Sequence, residues 1–138
     1  MSDRATALAG VCAQYGIEIL YAFGSRGREV WEWLTGAAEL SAGPSDVDLA
    51  VKPARELEVF EKARLAVAFE DLLGVNRVDL VVLPEAGAFL AANAIRGERL
   101  YAHDERWADE YDLYVLRRAG DLAPWERERR ALILGKRG

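Results

Sequence analysis

The sequence has few residues that could crosslink the chain or hold a transition metal. Among 138 residues there is one cysteine, Cys12, and one histidine, His103. A single cysteine excludes an internal disulfide, and the absence of a histidine or cysteine cluster excludes a zinc site of the usual kind. Long apolar runs are missing too, since residues 17–23 and 78–83 fall far short of the roughly 20 residues of a membrane span. The N-terminus has no basic-then-apolar secretory pattern, so we expect a cytoplasmic protein without a membrane partner.

An excess of basic residues is also missing. Eighteen Lys and Arg against 23 Asp and Glu give a formal net charge of −5. A field of this sign repels a polyanion, so general nucleic-acid binding is not expected. The length suits one domain over residues 1–138, and 51% hydrophobic residues are enough for a buried core.

Helical and strand patterns alternate along the chain, which predicts an α/β (α+β) domain with a short mixed sheet and helices mainly on one face. Helices are predicted at residues 4–15, 56–73 and 88–95, strands at 17–23, 46–51, 78–83 and 98–101, the last at a sheet edge. Residues 26–45 lose this rhythm and are expected to form a short helix followed by a loop, with an insertion or mobile loop at about residues 30–45. A C-terminal helical segment is expected at about residues 104–135, interrupted at Gly120.

Three aspartates fall on or beside predicted strands: Asp46, Asp48 and Asp79. Asp46 and Asp48 are two residues apart, so on a strand both side chains project from the same face. If the strand of Asp79 is a neighbour, three carboxylates converge, and each pair at about 4 Å costs on the order of 4 kcal/mol at an effective dielectric constant near 20. Such a cluster needs a counter-cation, and oxygen ligands alone favour Mg²⁺, with room for two ions. The competing interpretation is structural: Asp46 caps a turn, and Asp79 lies on an exposed face of the sheet.

A second candidate element follows the first strand. Gly24 lets the backbone approach a phosphate closely, Ser25 adds a hydroxyl donor, and Arg26 and Arg28 bring positive charge to the same place. The pattern is neither a Walker A loop nor GxGxxG. By itself a Gly-Ser after a strand is also a common strand-to-helix turn.

Together, the segments YAFGSRGRE, SDVDLAVK and RVDLVVL resemble the polymerase β-like nucleotidyltransferase superfamily, and most closely its minimal, MNT-type members. The resemblance covers residues 19–104. It implies that Gly24 and Ser25 hold the triphosphate of ATP, that Asp46 and Asp48 bind the metal ions, and that Asp79 completes the catalytic and metal-binding triad and helps to deprotonate the acceptor. The implied reaction transfers AMP from ATP to a hydroxyl and releases pyrophosphate.

The same resemblance implies a partner. Minimal members lack an acceptor domain and typically act with a helical HEPN protein; in toxin–antitoxin pairs the nucleotidyltransferase is the antitoxin, and it adenylylates a tyrosine of the ribonuclease toxin. One departure stands out, because residues 26–45 separate Ser25 from Asp46, about ten more than is usual in the family. The surplus, with Trp31 and Trp33, has two interpretations: a lid or partner surface over the nucleotide, or a segment that spoils the triphosphate geometry.

Two alternatives to protein adenylylation are open. The first is a non-catalytic module that neutralises a toxin by binding it, and the second is nucleotidyl transfer to a small hydroxylated molecule. A homo-oligomer is a further possibility, because Trp125 and the apolar residues 132–134 lie so near the end of a small chain that they could dock on a second subunit.

Overall fold

The computed structural model describes residues 3–133 except 37, 42 and 44, and it describes no side chains beyond residue 121. The helices are α1 (Asp3–Gln14), α2 (Gly27–Leu34), α3 (Val59–Leu73), α4 (Ala88–Ile95) and α5 (Glu105–Ile133). The strands are β1 (Ile17–Phe23), β2 (Val47–Pro53), β3 (Val78–Val82) and β4 (Glu98–Ala102). The expected alternation of helices and strands is therefore confirmed.

The four strands form one mixed sheet in the order β3-β2-β1-β4. β1 pairs antiparallel with β2 and β4, whereas β2 and β3 are parallel. β1 is buried along almost its whole length, as its continuous apolar run predicts. β4 lies at an edge, also as predicted.

Apolar side chains cover both faces of the sheet. On the first face, α1, α2 and α3 pack against it through residues such as Cys12, Trp33 and Phe69, and on the second face α4 and α5 do so through Ala91 and Val115. Three of the five helices thus share one face, as expected. The other face is more extensively covered than the sequence suggests.

The segment between Ser25 and Asp46 is partly a helix. Its first part forms α2, and Trp33 in that helix is only 4% exposed while Trp31 packs partly buried against the same core. The interpretation of these tryptophans as a lid over a nucleotide is therefore wrong, because they belong to the core of the first face. The described residues from 38 to 46 form no regular element.

The C-terminal helical segment is one continuous helix, and the expected interruption at Gly120 does not occur. A single glycine inside a helix costs about 1 kcal/mol relative to alanine, which is too little to end it. Residues 134 and 135 lie outside the described residues, and so do the side chains of Trp125 and residues 132–134 that suggested a second subunit. Within the described residues, no helix has both the length and the apolar character of a membrane span.

Candidate functional site

The pairing of β2 with β3 brings two of the three predicted aspartates together. In this parallel ladder Asp48 lies directly opposite Asp79, and Val47 opposite Val78. Val47 and Val78 belong to the core of the first face, so Asp48 and Asp79 project from the second face. Asp46, two residues before Asp48, precedes the first residue of β2. The three aspartates therefore lie at one end of the sheet.

Gly24 lies against this acidic pair. β1 ends beside the start of β2, where Phe23 pairs with Asp48, and Gly24 follows with a φ of +72°. A side chain at position 24 would collide with the carboxylate of Asp48. Only glycine combines this left-handed conformation with so close an approach. Ser25, the next residue, is exposed in a single turn of 3-10 helix, Gly24–Arg26.

The electrostatics of the acidic pair favour a cation. Burial, followed by the negative charges of Asp79 and Asp46, raises the pKa of Asp48 above its usual range. Two carboxylates on directly opposed strand positions repel each other by about 1 to 4 kcal/mol, depending on how much solvent screens them. The charged form of Asp48 is therefore disfavoured until a positive charge neutralises it.

Asp46 has a different environment from the other two. Its carboxylate, 43% exposed, lies 3.5 Å from Nε of Arg77, which is itself 75% exposed. Such an exposed ion pair contributes little and is easily replaced. In the described part of the chain, no three acidic, histidine or cysteine side chains are grouped as metal ligands. The donor chemistry of Asp48 and Asp79, two carboxylates on opposed strand positions, fits a hard divalent cation, and Asp46 is a further carboxylate at the same end of the sheet.

The two predicted arginines lie in different surroundings. Arg28 is 71% exposed and pairs with Glu98 of β4 at 3.3 Å. Arg26 is buried, and its guanidinium binds Glu29 and two backbone carbonyls instead of facing solvent. All three nitrogens of the Arg26 side chain, which the sequence predicts to bind the nucleotide, have partners within the protein, so a nucleotide contact would have to replace one of these bonds.

Two further glycines, Gly27 and Gly97, pack closely against the backbone at the end of β1, and the sequence did not indicate this. A Cβ on Gly97, between α4 and β4, would collide with the carbonyl of Ala22 and with Phe23, and one on Gly27 would lie 3.1 Å from the same carbonyl oxygen. The end of β1 is therefore enclosed on two sides by glycines. The sequence shows a glycine in the segment NAIRGERL, but it does not show that this glycine packs against Ala22 and Phe23, because that contact depends on the tertiary fold.

A polar network also holds α5 onto the second face of the sheet. The hydroxyl of Tyr21, fully buried in β1, donates to Asp112 of α5, and Arg99 of β4 donates to the other oxygen of Asp112 at 2.7 Å. Arg99 also lies 2.9 Å from Asp109. Three elements of the fold are joined here, two residues along β1 from the acidic end.

The space between α4 and α5 lies away from the aspartates. A cavity of about 260 Å³ is lined there by Lys52, at the other end of β2, and by Tyr111, Tyr114 and Arg118 of α5. Four residues of strand, or about 13 Å, separate Lys52 from Asp48. None of the three aspartates lines this cavity.

The family model described as polymerase beta, nucleotidyltransferase matches residues 7–106. This range includes every residue of the acidic cluster and the turn at Gly24. No curated protein matches the chain.

Several solved structures are similar to this fold. A toxin–antitoxin crystal structure with AMP-PNP superposes with a TM-score of 0.66, at 20% identity, covering 94% of each chain. A complex of a tri-AMPylated Shewanella oneidensis HEPN toxin with its MNT antitoxin gives a TM-score of 0.65, at 20% identity, covering 94% of this chain and 92% of the other. A chain described as a candidate minimal nucleotidyltransferase is 30% identical, with a TM-score of 0.50, covering 69% of this chain and 86% of its own.

Proposed function

The chain belongs to the polymerase beta nucleotidyltransferase family, and from this premise we propose that it transfers AMP from ATP to a hydroxyl group of a partner protein in a Mg²⁺-dependent reaction. The observation that carries the proposal is the register of β2 and β3, which sets Asp48 opposite Asp79 beside Gly24. A purely structural sheet gains nothing from two adjacent like charges, whereas a metal-dependent transferase needs them.

In the proposed reaction the acceptor oxygen attacks the α-phosphorus of ATP. A new P–O bond forms to the acceptor, and the bond to the pyrophosphate oxygen breaks, so that pyrophosphate leaves with the electron pair. The acceptor proton passes to Asp79, the more exposed member of the opposed pair. Gly24 lets the phosphates approach the backbone, and Ser25 donates its hydroxyl to a phosphate oxygen.

Mg²⁺, held by Asp48 and Asp79 with Asp46 as a further ligand, would neutralise the charge that develops on the phosphate oxygens. Without it, the burial of Asp48 and its repulsion by its neighbours oppose the negative charge that the reaction needs there. The exposed Arg77 pairs with Asp46 at 3.5 Å and can release it at little cost. Arg28, exposed in the first turn of α2 and paired with Glu98 at 3.3 Å, is the arginine that we propose as a further contact of the nucleotide.

The proposed acceptor is a tyrosine of a HEPN-type toxin, for which this chain would be the antitoxin. Support comes from the similar structures, several of which are toxin–antitoxin complexes, one of them with an AMPylated HEPN toxin. The cavity between α4 and α5 lies about 13 Å of strand away from Asp48, so it does not serve as a pocket for a small acceptor beside the aspartates. Because the reaction consumes ATP, we place the protein in the cytoplasm.

The test is an AMP-transfer assay on the purified protein with a HEPN-type protein, taken first from a neighbouring gene if that gene encodes one. With ATP labelled at the α-phosphate and Mg²⁺, the partner should gain label and the mass of one or more AMP groups on tyrosine. Asp48→Asn and Asp79→Asn should each lower the rate at least about 100-fold. Asp71→Asn is the matched control, since Asp71 is an exposed aspartate of α3, which packs on the opposite face of the sheet.

Two outcomes contradict the proposal. Undiminished labelling in Asp48→Asn removes the proposed mechanism, because a carboxamide cannot supply the negative charge. If the wild-type protein labels nothing, yet forms a stable complex that silences the toxin without ATP, the chain is a binding module instead of an enzyme.

A further inference from the structure

Arg26 is the one buried charged residue among those whose burial the structure describes, with 7% of its surface exposed. It directly follows the Gly24-Ser25 turn. Burying a guanidinium is costly unless every donor finds a partner, so a buried arginine beside a candidate active site calls for an explanation.

The contacts of Arg26 reach across the long segment before the aspartates. Nε and Nη2 bind the two carboxylate oxygens of Glu29 at 2.9 and 3.0 Å. Nη1 donates to the carbonyl of Ser45 at 3.0 Å, and Nη2 donates to the carbonyl of Ser41 at 2.5 Å. Glu29 in turn accepts from the backbone N–H of Ser41 at 2.9 Å. One side chain thus joins both ends of the segment.

One of these contacts lies directly beside the first aspartate, because Arg26 donates to the carbonyl of Ser45. Ser45 immediately precedes Asp46, and Asp46 lies outside β2, so the strand ladder does not hold it. On the other side of Asp46, the backbone N–H of Val47 donates to the carbonyl of Arg77 at 3.1 Å. The hydrogen bond from Arg26 therefore holds the backbone just before the first aspartate. Its donor, Arg26, is the residue that directly follows Ser25.

We propose that Arg26 is a positioning residue: oriented by Glu29, its guanidinium ties the backbone before Asp46 to the turn that carries Gly24 and Ser25, and so sets the distance between the aspartates and the phosphate-binding turn. This inference rests on the proposed function, since it concerns the same site. It also explains how a chain with about ten surplus residues after Ser25 brings Asp46 back to the sheet edge.

Lysine cannot replace arginine in this role. The planar guanidinium binds Glu29 with one edge while it donates to two carbonyls with its other hydrogens, whereas an ammonium group is a single point of charge. Arg26→Lys keeps the charge and loses at least one of the bonds to Ser41 and Ser45. Glu29→Gln keeps the size of the side chain and weakens the hydrogen bonds that orient the guanidinium of Arg26.

Arg4→Lys is the matched control. Arg4 also holds this segment through backbone carbonyls, donating to Trp33 at 2.7 Å and to Ala38 at 3.0 Å, and it pairs with Glu39. These contacts lie at the middle of the segment, away from Asp46. If the contacts of these arginines only stabilise the segment, both variants should have the same effect. If Arg26 positions Asp46, only Arg26→Lys should change the site.

The experiment has one readout that does not need catalysis and one that does. In two-dimensional amide NMR spectra of the metal-free protein, Arg26→Lys should shift the resonances of Ser25, Asp46 and Asp48, and Arg4→Lys should leave these three unchanged. In the AMP-transfer assay, Arg26→Lys should lower kcat about 10- to 100-fold and raise the Mg²⁺ concentration for half-maximal rate, because misplacing reacting groups by about 1 Å can cost about 100-fold in rate. Glu29→Gln should act in the same direction and more weakly.

The proposal is overturned if the Arg26→Lys protein folds and keeps the wild-type resonances of Asp46 and Asp48. It is also overturned if Arg26→Lys and Arg4→Lys lower kcat equally without a change in the Mg²⁺ requirement, since that pattern belongs to a structural residue. If Arg26→Lys does not fold, Glu29→Gln decides by the same two readouts. A wild-type protein without transferase activity contradicts the proposed function alone, because the spectra still decide on the positioning.

Discussion

Replacing Gly24 by alanine is the sharpest test of the geometry around the aspartates. The residue has a φ of +72°, and its missing side chain leaves the space that the carboxylate of Asp48 fills. Alanine in a left-handed conformation costs roughly 1 to 2 kcal/mol. The collision adds to this, but the atom met is the end of a side chain, so Asp48 can rotate away and the fold survives. We therefore expect a small loss of stability and a large loss of activity.

Gly74→Ala separates the two effects. Gly74 ends α3 with a φ of +70°, and a Cβ added there meets nothing within 4 Å. Both variants carry the same backbone penalty, and only the one at position 24 displaces a carboxylate. Gly74→Ala should lower the melting temperature by about 3 to 6 °C, following the usual entropy of unfolding for a domain of this size, and Gly24→Ala should lower it by at least as much.

The assay is the initial rate of AMP transfer at saturating ATP and Mg²⁺, measured beside thermal melts of both variants. Gly24→Ala should lose at least about 100-fold in rate, whereas Gly74→Ala should stay within about twofold of wild type at a temperature where it is folded. Wild-type activity in Gly24→Ala would show that the placement of Asp48 against the turn does not matter. Equal losses in both variants would show that only backbone strain is being measured.

Two further predictions concern stability. Asp48→Asn should raise the free energy of unfolding in metal-free buffer at pH 7 by about 1 kcal/mol, allowing for solvent screening. The raised pKa of Asp48 means that the folded protein holds this proton more tightly than the unfolded chain does, so the contribution of Asp48 to stability should fall as the pH rises from 3.8 through that raised value. The asparagine variant should lack this decline in melts between pH 3.5 and 7, and an identical pH profile in both proteins would contradict the assignment. Gly97→Ala should lower the free energy of unfolding, measured with denaturant, by about 2 to 3 kcal/mol. The reason is that the added Cβ meets the backbone of Ala22 and Phe23, which cannot rotate away. Gly10→Ala in the middle of α1 is the control and should not destabilise the protein, because a Cβ there meets nothing within 4 Å.

Much of the fold follows from local pattern. The apolar run of β1 predicts a strand with the bounds Ile17–Phe23, and the small apolar residues of α4 predict the helix Ala88–Ile95. Asp48 and Asp79 could be placed together from the sequence because one assumption, that their strands are neighbours, is enough to align them. Gly120 misled the prediction, since packing of α5 against α4 and the sheet outweighs the cost of one glycine.

The arginines could not be assigned in the same way. Arg26 is charged and follows the candidate phosphate turn, so its type and place suggest a phosphate contact. Its actual partners, the carbonyls of Ser41 and Ser45, belong to a segment without periodicity, and backbone acceptors have no sequence signature. Glu29 lies three residues after Arg26, in the first turn of α2, and this spacing is the one signal in the sequence that Arg26 has an ion-pair partner within the protein.

The segment after Ser25 contributes to the core of the first face of the sheet. Its first part forms α2, which packs Val30, Trp33 and Leu34 into the core of the first face, whereas the aspartates project from the second face. These apolar side chains of α2 therefore add to the core on the side of the sheet opposite to Asp48 and Asp79. A longer segment makes the position of Asp46 relative to Ser25 less constrained. In the proposal above, the hydrogen bond from Arg26 to the carbonyl of Ser45, the residue before Asp46, supplies the missing constraint. Of the two interpretations of this segment, the lid disagrees with the core positions of Trp31 and Trp33, and the AMP-transfer assay decides whether the surplus spoils the triphosphate geometry.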